Sequence, residues 1–364
     1  MTAPPDAAAP AAGSEFASEL APGSGSHFGS GYRSGSGSGY RTAMYCLILV
    51  VLTVATAILA LTTGEFHVPV GEVVRSLTGR GSPSTHFIVV DLRLPRVLCA
   101  ILAGAAFGAS GAIFQSLTRN PLGSPDIVGF ETGAASGALI AIILLHGGPG
   151  QATLGALVGS LATAALVYLL SLQGGATPHR LVLTGIGVNT MLVALNAYLI
   201  AHADFQDALA AQVWRIGDLA GRGWSDVVAV DILLGVALPL ALLLSRSLSM
   251  LALGDDTAIA LGVPVQRRHL ELLGVAVMLA AAGTVAAGPV AFIALAAPQV
   301  ALRMTCSQGP AIAASACTGA LLLALSDFAA QRLLAPTVLP VGAATGVLGG
   351  LYLAGLLATS RQRS

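Results

Sequence analysis

The chain has 364 residues, of which 55% are hydrophobic and 9% charged, against roughly a quarter charged in an ordinary soluble domain. Seventeen acidic and 17 basic residues cancel, so no bulk field exists to gather nucleic acid or an acidic partner. The composition is that of an all-α polytopic membrane protein, and its 44 glycines suit helices packed closely through small side chains. All 17 basic residues are arginine, which removes the phosphate-loop lysine of a nucleotide hydrolase and the Schiff-base lysine. Any ATP hydrolysis that drives this protein belongs to another chain.

Residues 1–40 form an Ala/Pro-rich and then Gly/Ser-rich stretch with too little apolar area to offset its ordering entropy, and read as a flexible tail. No basic segment opens the chain, so a signal peptide is not expected. From residue 44 to 364 a single membrane domain is predicted. Crossing the hydrocarbon takes about 20 helical residues. Met44 to Thr63, Val97 to Thr118, Gln151 to Leu172, Leu181 to Ala201 and Val338 to Thr359 meet this length without an acidic residue. Ile127 to Leu145, Val227 to Ser245 and Leu270 to Ala287 carry Glu131, Asp231 and Glu271 near one end, and Ala311 to Ser326 is shorter. The stretch from His269 to Met304 is too long for one crossing, and Gly283, Gly288 and Pro289 offer a break. About ten spans result.

With the amino terminus inside, ten of the 17 arginines fall inside and seven outside, a weak positive-inside bias that leaves the exterior arginines to be explained. Cys46, Cys99, Cys306 and Cys317 form no CxxC pair and have no neighbouring histidine, so they read as small apolar fillers and no metal site is expected. Glycines at four-residue spacing, Gly104 and Gly108, Gly129 to Gly137 and Gly342 to Gly350, mark helix contacts. Gly108 to Gly111 spells the GxSG of an intramembrane serine protease, but no histidine lies within an apolar span to take the Ser110 proton. Asn189 and Asn196 share a helix face with Val193, a polar stripe that fits either a pathway lining or hydrogen bonding between helices. Between Leu251 and His269, Asp255 or Asp256 can cap a short helix that Gly262 and Pro264 end. By its physics this is either a surface loop or a docking helix that offers Ile259 and Leu261 to a groove on a partner.

In order along the chain stand RLPR at 93–96, GAAFGASGAIFQSLTRNPLGSPDIVGF at 104–130, LTGIGVN at 183–189, LALGDDTAIALGVPVQRRH at 251–269, GPVAFIALAAPQVALR at 288–303 and LPVGAATGVLGG at 339–350. This ordered set resembles the FecCD-type permease subunits of bacterial ABC importers for iron-siderophores, haem and vitamin B12. The wording NPLGSPDIVGF is most similar to the ferric-siderophore members.

The resemblance implies a ten-helix type II importer permease in the plasma membrane with both termini cytoplasmic. It would pair with a second permease, identical or related, and work with two cytoplasmic ATPase subunits and an extracytoplasmic binding protein. The chain itself would be no enzyme and carry no cofactor, with ATP bound by the partner subunit. Arg93 and Arg96 inherit the role of docking the binding protein, joined by Arg332. The usual arginine one place earlier is Gln331 here, and Arg332 is turned from it by about 100°. Gly254, Asp255, Asp256, Thr257, Ala258, Ile259, Leu261 and Gly262 match the loop that couples to the ATPase. Asn120 and Leu122 match the cytoplasmic gate, with Asn189, Val193 and Asn196 on the pathway side. The second gate element is replaced by Pro178 and His179, and Gln299, Val338 and Gly350 also depart from the family pattern. The expected cargo is a ferric siderophore, with haem or vitamin B12 as the alternatives. An ion-driven secondary transporter is a further rival, disfavoured because Glu131, Asp231 and Glu271 all lie near span ends.

Overall fold

The computed structural model describes residues 36–64, 66–126, 128–171, 178–307, 309–332 and 339–360. The chain divides into two units, Met1–Gly37 and Ser38–Ser364. The predicted tail lies outside the described residues up to position 35, as does Val338. The second unit is helical, with no strand among the described residues.

The first span is α1, Ser36–Thr62, which starts inside the stretch whose composition reads as tail. After α2 (Val70–Leu77) and α3 (Pro83–His86), a π-helical stretch Phe87–Arg93 leads into α4, Leu94–Thr118. The helical run from 83 to 118 is continuous, well beyond the predicted start at Val97. Pro95 supplies no N–H to this run, which is π-helical just ahead of it, and the Val90 carbonyl five residues back accepts instead from the Trp224 indole at 3.1 Å. Next come α5 (Phe130–Leu139), continued by a π turn to Leu144, then α6 (Pro149–Ser171) and α7 (Pro178–Ala201). Beyond α8 (Phe205–Ile216) come α9 (Trp224–Leu243), α10 (Ser245–Ala252), α11 (Asp255–Ala260) and α12 (Val265–Ala287). The chain closes with α13 (Ile293–Thr305), α14 (Ile312–Arg332) and α15 (Val341–Ser360).

Seven of these helices are long and apolar enough to cross a membrane. Two shorter apolar helices, Phe130–Leu144 and Val341–Leu351, add to these among the described residues, and with α13 the bundle has about ten candidate crossings. The predicted break between the seventh and eighth spans falls at Gly288, where φ is +72°, while Gly283 stays helical with its α-carbon against the Phe107 ring. The predicted span ending at Ser326 runs on to Arg332, past the buried Asp327. Short helices such as α2 and α8 were not anticipated, because eight to twelve residues with a few apolar positions give no span signal.

Burial separates centre from periphery. In the most apolar windows of the 83–118 helix and of α12, 78% of residues are buried, against 22% in α1, α6 and α7. The central pair is surrounded by α9, α13 and α14. Contact there is backbone against backbone: a Cβ added at Gly104 would collide with the Gly319 carbonyl, and one at Gly108 with that of Ser315. Gly137 and Gly155 join α5 to α6 in the same way. Ser110 is wholly buried and donates to the Ala276 carbonyl at 2.7 Å, so it is a contact between α4 and α12 and not a nucleophile. Two glycine expectations need correction. Gly129 caps α5 with φ +88° while the backbone of Asn189 on α7 packs closely on it, so it is a helix contact but not part of a groove along α5, and Gly346 and Gly350 have nothing against them among the described residues.

Candidate functional site

The RLPR arginines and the 254–262 turn lie at opposite ends of the molecule, separated by the length of α4, about 37 Å at 1.5 Å per residue. The turn begins at Gly254, whose φ of +116° suits glycine alone, and α11 follows at once with Asp255 and Asp256 in its first turn. The predicted aspartate cap is not formed: the N-cap is Gly254, and the aspartates sit one and two places inside the helix. Ala258 is fully buried and pins the helix to the core, whereas Ile259 and Leu261 are 61% and 58% exposed. Gly262, with φ +79°, turns the chain so that the Val263 amide reaches the Ala258 carbonyl at 2.9 Å. Two bulky aliphatic side chains on a rigid, polar-flanked turn form a protrusion with an apolar tip.

Beside this turn α4 ends at Arg119 in the left-handed region, φ +49°. The side chain of Asn120 accepts a hydrogen bond from the Leu122 amide at 2.9 Å, and the Asn120 carbonyl accepts one from Gly123 at 2.9 Å. Leu122 is thereby held 54% exposed at the tip of a tight turn. Behind it lies a cavity of about 230 Å³ bordered by Gln115, Ser116, Asn120 and Gln299. Gln299 donates to Gln115 at 2.6 Å, and Gln115 donates to the Leu295 carbonyl at 3.0 Å. The departure at Gln299 is therefore a link between α4 and α13.

Asn189 and Asn196 face α5. Asn189 stands against Gly129, and Asn196 is buried with its amide nitrogen 3.5 Å from the Thr132 carbonyl. Of the two roles open to the stripe, the contact between helices is the one visible within this chain. Val193, 49% exposed, is turned to the outside. Glu271 is bound by Arg267 at 2.8 Å and by Arg268 at 2.6 Å. Glu131 is buried at the start of α5 beside Asp126.

At the other end the three arginines do different things. Arg96 lies across the carboxylate of Asp327, with Nη2 2.8 Å from Oδ1 and Nε 3.2 Å from both oxygens. Gln331 donates to the second oxygen at 2.7 Å. Sequence reasoning missed Asp327, and its signal was an acidic residue at the end of an apolar run, with no basic residue one turn away in its own helix. Arg93 donates to the carbonyls of Leu61 and Phe66, both at 2.7 Å, and so holds the end of α1. Arg332 is partly buried, and its Nε has no hydrogen-bond partner.

A bundle of about ten apolar helices, with an apolar-tipped turn at one end and an arginine cluster at the other, is a multi-pass membrane transport subunit. Residues 51–359 match the FecCD transport family, and the chain belongs to it. It is 45% identical over 317 residues, 87% of this chain and 96% of the relative, to the ferric enterobactin transport system permease protein FepG of Escherichia coli (strain K12). It is 34% identical over 282 residues to the hemin transport system permease protein HmuU of Yersinia pestis, covering 76% and 84% of the two chains. Among solved structures, a metal-chelate type ABC transporter in an inward-facing conformation superposes with a TM-score of 0.78 at 24% identity. That match covers 87% of this chain and 99% of the other, and shows the shared fold.

Proposed function

We propose that this chain is the permease subunit of an ATP-driven importer that carries a ferric siderophore across the bacterial plasma membrane. The observation that carries the reading is the 45% identity with a ferric enterobactin permease over 96% of that protein. The arrangement of the ends supports it. The turn at 254–262 would face the cytoplasm and seat Ile259 and Leu261 in a groove on the ATPase. The opposite end would face the binding protein, with guanidinium groups that orient and steer docking more than they add affinity. Arg93 and Arg332 suit this role better than Arg96, whose charge Asp327 already neutralises. Both termini would then be cytoplasmic.

A single chain encloses half a pathway. A second permease, identical or related, would complete it, with Leu122 of each subunit meeting at the cytoplasmic constriction. Two ATPase subunits would bind the ATP. No covalent bond is made or broken in this chain; its work is alternating access, driven by differential binding of ATP-loaded and empty partners to two arrangements of the pair. The test is uptake of iron-55-labelled ferric enterobactin into proteoliposomes that contain the assembled complex, with haemin as the competing cargo. Iron accumulation that requires both ATP and the ATPase subunit is the expected result. Uptake that persists without the ATPase, or haemin carried in its place, overturns the reading.

A further inference from the structure

Asp255 is the first residue of α11, and its carboxylate is held by the guanidinium of Arg119, the residue that ends α4 and immediately precedes the Asn120–Leu122 turn. Nε2 of His269, in the first two turns of α12, stands 4.0 Å from the same carboxylate and has no hydrogen-bond partner of its own. Three elements thus meet at one side chain, and among the described residues the Arg119–Asp255 pair is the direct polar link between α11 and the turn at Asn120–Leu122. We propose that this ion pair is the tie that carries movement of α11 to Leu122, which makes Arg119 a positioning residue for the gate.

The geometry favours transmission over mere adhesion. Arg119 caps α4 in the left-handed region, which ends the helix there and turns the chain into the Asn120–Gly123 segment. The Asn120 amide bonds back to the Gln115 carbonyl at 3.1 Å, and the Asn120 side chain and carbonyl hold Leu122 and Gly123. From Arg119 to Gly123 the chain is a hydrogen-bonded turn with the guanidinium at one end and the exposed Leu122 near the other. The apolar tip of α11 remains free, because Ile259 and Leu261 point away from the face that Ala258 buries. Both partners of the pair are more than a third exposed, so the pair contributes little to stability. Its removal should therefore leave the fold intact and cut the link.

The proposal rests on the importer reading, and the experiment separates the two. In the assembled complex, with the four cysteines replaced by serine and Leu122→Cys as reporter, the rate of labelling by a membrane-impermeant maleimide is followed with and without ATP. With Arg119 present, ATP should change the rate. Arg119→Ala should abolish that change while the ATPase stays bound and still hydrolyses ATP, and the exchange Arg119→Asp with Asp255→Arg should restore it. An ATP-dependent change that survives Arg119→Ala, or an exchange that restores nothing, overturns the proposal. A complex with Arg119 that binds and hydrolyses ATP without any change at Leu122 also overturns it, whereas failure of the ATPase to assemble with the chain at all refutes the importer reading instead.

Discussion

At Asp327 a single carboxylate sets the shape of one end of the molecule. Arg96 is 17% exposed and Asp327 only 3%, so removal of either charge leaves the other in a poorly solvated place. Asp327→Ala should cost about 3–5 kcal/mol, the usual penalty for a buried charge stripped of its partner, and Arg96→Met with Asp327→Leu should recover most of it. Thermal unfolding of the detergent-purified chain measures both. The same pairing divides the arginines by task. Arg93→Glu with Arg332→Glu should slow capture of the binding protein, and the defect should deepen at low salt, where steering is strongest. Arg96→Glu should instead act on stability, because it sets a second carboxylate against Asp327. Stopped-flow association at two ionic strengths, set beside the unfolding curves, separates the cases.

Close helix contact and exposed apolar tips are properties of elements. Gly319→Leu has no room beside the Gly104 carbonyl and should force α4 and α14 apart, at a cost of about 1–3 kcal/mol or more. Gly346→Leu, where a Cβ meets nothing within 4 Å in this chain, should leave the isolated subunit as stable as before. Melting temperatures of the two variants provide the comparison. On α11, Ile259→Asp with Leu261→Asp would place unpaired charge in the partner groove, a penalty of several kcal/mol. The ATPase should no longer co-purify, while the permease still inserts in the membrane and still binds the loaded binding protein. Retention of the ATPase by this variant would remove α11 from the coupling surface.

For the whole molecule the decisive feature is that the two ends are joined through a closely packed, largely buried centre. The α4 and α12 pair has Arg93 and Arg96 at one end and reaches the Arg119 turn and α11 at the other, so under the proposed function binding-protein docking and ATPase closure would act on the same core. A two-state rearrangement of that core against its surroundings is the kind of motion that links distant sites. Leu122→Ala would widen the hydrophobic closure where two subunits meet. Sealed vesicles with this variant should leak ferric siderophore without ATP, and unchanged leak would place the constriction elsewhere.

Sequence by itself determined the membrane environment, the helical class with roughly ten crossings, and the family. Twenty-residue apolar runs, the absence of lysine and an ordered set of motifs do not depend on how the helices pack. It also offered a short helix ended by Gly262 and Pro264 as one of two readings of the segment from Leu251 to His269, and the structure forms that helix at 255–260 with Gly254, not an aspartate, as its cap. Contacts across the bundle were settled only by tertiary structure. Arg96 and Asp327 are 231 positions apart, and Arg119 and Asp255 are 136 apart, so no local pattern could pair them. Composition and spacing describe one helix at a time. A buried charge takes its role from the helix that folds against it, which is why Arg93 and Arg96 share one expected role in the sequence and take different partners in the structure.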